Sequence, residues 1–342
     1  MLIDTLKTLC ALPGISSWED NVRDYIKEQV APYADTLRVD TMGNLIVTKK
    51  GAVPGKKTLM LAAHMDEVGL MVHSITEEGY IKFRTVGGID RRVLIGKQVL
   101  VGKQGVPGVI GLKAYHLTSA DEEKNVPKLK DFSIDIGAKN KEEAAALVSP
   151  GDPIVFDGDV IEFGNGLLKA KAIDDRIGCA VMIELIKEPL PMDCTFVFTV
   201  QEEVGTRGAF GAAFSVTPDL ALVLEGTTAA DLPDSPEDQR VCSVGKGPVI
   251  PYMDGATVYD RTLFLLLRSL AEEHGIPWQT KELISGGTDA GAIQRSKGGV
   301  QVAAISAAVR YLHTPSSVVS LEDCRQILSL ARLFLSAAAT ME

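Results

Sequence analysis

The spacing of apolar and polar residues changes along the chain, and each change predicts a different kind of structure. Met1-Leu-Ile-Asp-Thr-Leu-Lys reads as a first helix, since an acid interrupts the apolar run and no small-residue cleavage site follows. Ser16-Ser-Trp-Glu19 has the spacing of a capping box and predicts an amphipathic helix to about Ala31. Strand signals follow at Leu37–Asp40, Leu45–Thr48 and Thr58–Ala63, with a turn at Met42-Gly43-Asn44.

From there to about Phe163 the texture is different. Glycines recur at 69, 79, 87, 88, 96, 102, 105, 108 and 111 between short alternating segments such as Tyr80-Ile-Lys-Phe-Arg and Val99-Leu-Val. That pattern predicts a small all-β barrel or sandwich. After Asp174 strands and helices alternate. Helix Ile177–Lys187 precedes strand Thr195–Val200, Gly208–Phe214 precedes Leu220–Leu224, and helix Ala256–His274 precedes strand Trp278–Leu283. Strand Gln301–Val309 and a terminal helix from Ser320 complete the chain. The pattern implies an α/β, mixed-sheet domain made of residues 1–66 and 165–342, with a β-barrel domain of residues 67–164 inserted into it.

Composition narrows the function. The 342 residues are 46% hydrophobic and 23% charged, an ordinary globular balance. A net charge of −10 argues against a nucleic-acid partner, which needs a basic surface. The longest apolar runs, such as Val302–Val309, fall well short of the ~20 residues of a membrane span, so no membrane partner is expected. Five scattered cysteines, odd in number and without a Cys-x-x-Cys pair, suit reduced thiols in a cytoplasm.

The residues that carry chemistry gather at strand ends. His64 and Asp66 follow Thr58–Ala63, and their spacing of two puts both side chains on one side. Glu202 and Glu203 follow Cys194–Val200 and, on an extended strand, would point to opposite sides. Glu225 ends Asp219–Leu224, and His313 ends Val302–Leu312 before Thr-Pro breaks the strand. Asp174-Asp175-Arg176 opens the Ile177 helix, where acids suit the positive end of the dipole. Taken singly, each has an ordinary structural explanation: a solvated strand end, a helix cap, a hydrogen-bonded histidine. Together they place imidazoles and carboxylates at the edge where open α/β sheets bind ligands.

Two histidines, two glutamates and a bridging aspartate fit a dinuclear centre, with one glutamate to spare. Imidazole and carboxylate ligands without thiolates suit zinc, cobalt or manganese. Two such ions ~3.5–4 Å apart can hold a hydroxide and polarise a carbonyl, and the spare glutamate would serve as general base.

These motifs resemble metallopeptidase family forty-two, the glutamyl or tetrahedral aminopeptidases among the co-catalytic zinc exopeptidases. The resemblance rests on Ala63-His-Met-Asp-Glu-Val-Gly69, Lys171-Ala-Ile-Asp-Asp-Arg-Ile-Gly178, Gln201-Glu-Glu-Val-Gly-Thr-Arg-Gly-Ala209, Ser285-Gly-Gly-Thr-Asp-Ala-Gly291 and His313-Thr-Pro-Ser-Ser. Asp131-Phe-Ser-Ile-Asp-Ile-Gly137 and Pro150-Gly-Asp-Pro153 are similar to its inserted domain. It implies a dinuclear aminopeptidase acting on short peptides. His64 and Glu225 would hold one metal, Glu203 and His313 the other, and Asp174, joined to Asp175 by a cis peptide, would bridge them. Glu202 would be the catalytic base, Asp66 the orienter of His64, and Gly287, Thr288 and Asp289 substrate contacts. Dimers building to a dodecamer, with the inserted domain in dimerisation, are also implied.

Many members carry aspartate where this chain has Glu225, which opens an alternative: a deblocking N-acyl-amino-acid deacylase on the same centre. A glycoside hydrolase using paired carboxylates is a third reading. Arg207 and Arg261 are candidates for reading an acidic side chain, although solvated surface charge explains each.

Overall fold

A computed structural model describes residues 1–341. Its larger unit is built on a six-stranded mixed sheet in the order Thr36–Val39, Leu45–Lys49, Cys194–Thr199, Leu59–His64, Leu220–Thr228, Gln301–Val309. The last four strands run parallel, and the first two complete an antiparallel edge. The parallel strands read as continuous apolar runs because helices cover both faces. Leu59, Leu61 and Ala63 enter one core with helices Leu2–Ala11, Ile173–Lys187, Arg261–Glu273 and Leu321–Ala338. Met60 and Ala62 enter the other, under Arg207–Val216 and Asp289–Gln294. The period of two along one strand sorts its residues between two cores.

The second unit is a closed six-stranded barrel: Gly69–Ile75, Ile81–Val86, Ser133–Asp135, Val106–Gly111, Gln98–Val101 and Pro153–Phe156. Its own core contains Leu70, Phe83, Ile110, Phe132 and Ile154. Closure leaves no free strand edge, which lets so short a set of strands stand as a unit. Strand Ile161–Phe163 falls within the expected insert but does not join the barrel. It pairs with Leu167–Ala170, which in turn pairs with Ser317–Ser320.

Several local expectations are corrected. Helix Asp20–Val30 forms, but Ser16 does not cap it, because the Ser16 hydroxyl donates to Asp66 instead. The helix expected from Ala256 begins at Arg261, capped by the Asp260 side chain. Before it, Asp254 draws the N–H groups of Ala256 and Thr257 into a turn. The segment expected as strand Trp278–Leu283 makes only an isolated bridge between Gln279 and Val249.

Candidate metal centre

The four parallel strands bring their carboxyl ends to one edge, at different depths. His64 is the last residue of its strand. Glu225 does not end its strand, as expected, but lies inside Leu220–Thr228. That strand stays paired with Gln301–Val309 to its last residue, whereas its ladder to Leu59–His64 stops at Val223–Ala62. The Glu225 side chain therefore faces the space that opens beyond the shorter ladder, on the same face as His64. His313, by contrast, is off its strand, in the loop after Val309, in left-handed backbone (φ 59°).

Asp174 lies between the two histidines. His64 Nε2 is 3.1 Å from Glu225 Oε1 and 3.4 Å from Asp174 Oδ1. His313 Nε2 is 3.3 Å from Glu203 Oε2 and 3.7 Å from Asp174 Oδ2. One carboxylate thus presents a different oxygen to each histidine. The Asp174–Asp175 peptide is cis, and Asp175 turns the other way, accepting the N–H of His64 and of Gly178. Room for Asp174 depends on Gly226, where a Cβ would fall 2.8 Å from the Asp174 carboxylate.

The acids here outnumber the cations available among the described residues. Asp174 Oδ1 and Glu225 Oε2 are buried without a hydrogen-bond partner, which a fold does not tolerate cheaply. Burial pushes the carboxyls of Glu225 and Glu202 well above the usual range, although His64 opposes it. Burial raises Glu203 to about 7. Burial would lower His313, but the Asp174 carboxylate beside it and the charge of Glu203 carry it up to about 9. Orphaned oxygens on a mixed imidazole and carboxylate set fit divalent cations. Ligand atoms of His64, Asp174 and Glu203, and of His64, Asp175 and Glu225, all lie within 4.8 Å of one another in each group.

The supporting contacts differ from those expected. His64 Nδ1 donates to the backbone carbonyl of Asp66 at 3.0 Å, while the Asp66 carboxylate stands 3.5 Å away. That carboxylate accepts the Ser16 hydroxyl at 2.6 Å and the N–H groups of Glu202 and Glu203 at 3.0 and 3.2 Å. Strand alternation does not govern the glutamate pair, since the strand ends at Thr199 and Gln201 turns left-handed at φ 57°. Asp66 fixes this turn from below. Glu19 holds it from the side, accepting from Ser17 and Gln201, with its carboxyl raised to about 7 by burial and the charge of Asp66.

Of the expected substrate contacts, Gly287 is exposed, but Thr288 and Asp289 are buried. Thr288 caps the helix Asp289–Gln294. Asp289 accepts the Thr199 hydroxyl at 2.5 Å, and the Thr199 oxygen lies 3.2 Å from the Ala63 carbonyl beside His64. Asp289 thus braces the strand end beside His64, while Thr288 serves its own helix. Arg261 is exposed beside Lys57 and Asp219, at the opposite edge of the sheet, and Arg207 is exposed at a helix start.

Sequence reasoning missed a buried ion cluster beneath the centre. Glu67 accepts from Lys171 at 2.5 Å and from the Gly14 N–H, and Arg176 stands 3.6 Å away. Lys171 and Arg176 also donate to carbonyls of Leu9, Leu12 and Gly14, fixing the chain after the first helix. The one signal was the acid and bases within the motifs themselves: Glu67 beside Asp66, and Lys171 and Arg176 flanking Asp174.

The family model of the M42 glutamyl aminopeptidases matches residues 43–330, most of the chain. This protein belongs to the M42 family. A putative aminopeptidase of Acetivibrio thermocellus is 40% identical over 96% of this chain and 97% of its own length. A glutamyl aminopeptidase of Lactococcus lactis and a lysyl aminopeptidase of Pyrococcus furiosus are each 29% identical over 99% of the chain, covering 97% and 98% of their own lengths. An aminopeptidase from Desulfurococcus kamchatkensis superimposes with a TM-score of 0.93 at 36% identity, covering 98% of this chain and 94% of that one. A Pyrococcus horikoshii TET1 peptidase, described as assembling into a tetrahedron or a large octahedral shell, gives 0.85 at 36%, covering 97% and 98%. A Thermotoga maritima structure described as an endoglucanase gives 0.81 at 34%, covering 98% and 97%. As an M42 member the chain is a peptide hydrolase of the aminopeptidase type, and the family's metallopeptidase character implies divalent cations.

Proposed function

We propose that this M42 enzyme removes N-terminal residues from short, unblocked peptides, using two divalent cations. His64, Asp174 and Glu225 would hold one and Asp174, Glu203 and His313 the other, with zinc, cobalt or manganese as the ions suited to these donors. The observation that carries the reading is Asp174, which offers separate oxygens to two histidines that each face a further glutamate. Bound there, such ions polarise a carbonyl and make water acidic enough to attack it near neutral pH.

The protein's own residues supply the rest. The Glu202 carboxylate makes no hydrogen bond to a described residue, and its raised proton affinity suits a group that takes a proton from water and gives it to the leaving amine. Asp66 is a positioning residue, because it fixes the backbone of Glu202 and Glu203 and its carbonyl sets the tautomer of His64. The aminopeptidase names of the relatives, glutamyl and lysyl among them, support an aminopeptidase over the deacylase. Glutamates on one tight turn, one of them facing His313, do not make the opposed pair a glycosidase needs.

Both glutamyl and lysyl names occur among relatives of equal identity, so no side-chain preference is carried over. The dodecamer and the tetrahedral or octahedral assemblies named for TET1 relatives support a homo-oligomer, and we propose dimers building to a dodecamer as its form. Five unpaired, buried cysteines suit a reducing cytoplasm.

The test is hydrolysis of aminoacyl-anilides and of one peptide in free and N-acetylated forms, after loading with zinc, cobalt or manganese. Cleavage of the free form alone, abolished by a chelator and restored by metal, is the expected result. Preference for the acetylated form would establish the deacylase instead, and sugar release that survives a chelator would establish the glycosidase.

A further inference from the structure

The two halves of the centre are not supported by the same unit of the fold. Every described contact to His64 comes from the larger unit: Asp66, Asp174, Asp175, Glu225, Cys179 and its strand partner Thr199. The Glu203–His313 half is different. His313 Nδ1 donates to the backbone carbonyl of Gly88 at 2.8 Å, and Gly88 lies just after the barrel strand Ile81–Val86. A carbonyl only accepts, so this bond holds a proton on Nδ1 and aims Nε2 at Asp174 and Glu203.

The neighbouring glycine touches the other side of the same half. Gly87 has φ +81°, and a Cβ there would stand 2.8 Å from Val68 Cγ1 and 3.3 Å from Glu203 Cβ. Two consecutive barrel residues thus meet both members of the pair, one through a hydrogen bond and one through backbone packed flush against it. The segment leaving the barrel approaches the same loop, since a Cβ at Gly158 would fall 3.0 Å from the Pro315 carbonyl. On its other side the His313 loop is held by Ser317 and Thr314, which donate to the Tyr311 carbonyl, and by the Arg310–Asp231 pair.

We propose that the Gly87–Gly88 segment of the barrel is a positioning element for the Glu203–His313 cation site, so that filling this site and seating the barrel on the larger unit are coupled. The proposal rests on the two-cation reading above. Coupling of this kind is reciprocal: a barrel that seats well raises affinity at this site, and an ion in this site holds the barrel down.

Gly87→Ala tests it, with Gly96→Ala as a matched control. Gly96 is in the barrel with φ +70°, and a Cβ there would meet no atom within 4 Å, so it carries a like backbone cost without the contact. Cation binding to the apo protein is measured by calorimetry with zinc, and the site of interest is the one that His313→Ala abolishes. Gly87→Ala should weaken that site by about 10–100-fold, as loss of an outer-shell partner does, and leave the other within about twofold. Gly96→Ala should leave both unchanged. Adding Val68→Ala to Gly87→Ala removes the nearest clash and should recover much of the lost affinity. Zinc should also slow amide exchange over residues 86–90 in the wild type and not in His313→Ala.

Equal affinities in Gly87→Ala and Gly96→Ala would overturn the inference while leaving the two-cation reading intact. So would equal weakening of both sites by Gly87→Ala. A wild-type protein that binds fewer than two zinc ions would overturn both readings.

Discussion

The two histidines of the centre sit in contrasting surroundings. His64 is 1% exposed, ends a central strand, and is held entirely within the larger unit. His313 is 31% exposed, sits on a left-handed loop, and makes one of its hydrogen bonds to the barrel. The first half is part of the core, built by the same ladder that builds the sheet. The ligands of the second half also belong to the larger unit, but its histidine is braced from outside by the Gly88 carbonyl of the barrel. Precision in a site can come from burial in one frame or from agreement between two, and only the second kind can respond to relative movement.

The predictions test how deep this contrast runs. The largest effect is expected at Glu202, whose peptide N–H shares the Asp66 carboxylate with that of Glu203 and so stands between the halves. Glu202→Gln should lower kcat by about 100–10,000-fold with both cations retained, as steady-state kinetics with metal analysis would show. Retained turnover would remove Glu202 as the base.

Next is the ion cluster beneath the centre. Lys171→Met leaves Glu67 buried with only Arg176 and the Gly14 N–H, and should cost about 3 kcal/mol in chemical denaturation. A cost below about 1 kcal/mol would mean that this ion cluster is not what fixes the Leu9–Gly14 segment.

Chelation compares the halves directly. Cation at ~100 times its dissociation constant stabilises a fold by about 2.7 kcal/mol, and that stabilisation is lost with the ion. With graded chelator the Glu203–His313 site should empty first, read by metal analysis beside thermal unfolding. Simultaneous loss of both ions would erase the contrast.

The smallest effect concerns Glu19, beneath the glutamate turn. Its folded carboxyl titrates at about 7, above its ordinary value of 4.5, so the fold disfavours its charged form. The cost is absent below pH 4.5, grows through the window from 4.5 to 7, and is complete above 7. Glu19→Gln keeps an oxygen for the N–H groups of Ser17 and Gln201 and removes that charge. It should therefore stabilise the protein by about 1–3 kcal/mol at pH 8 and change little at pH 4. A gain at pH 4 equal to that at pH 8 would show that charge is not the cause.

Apolar spacing was enough to find the strands on either side of the centre and the glycine-rich insert, because buried parallel strands and closed barrels each demand their own pattern. It was not enough at Trp278–Leu283, where a β-like composition forms one bridge and no ladder. Ser16 and Glu19 show the same limit at single residues. Their spacing is that of a helix cap, yet Ser16 donates to Asp66 and Glu19 accepts from Gln201, far away in sequence. The cap was locally sound and lost to partners that only folding brings close.

The sequence by itself determined the donor set: which histidines and carboxylates stand near the carboxyl ends of which strands. It also determined the two kinds of domain, since hydrophobic periodicity is a local property of the chain. Only the tertiary structure decided how the donors are used. Glu225 lies within its strand because one neighbouring ladder outruns the other, and Asp66 braces the Glu202–Glu203 turn because a left-handed Gln201 brings two N–H groups to one carboxylate. Gly88 serves His313 through a backbone carbonyl, a group every residue has. No residue type announces such a partner, because its identity depends on where two units of the fold come to rest.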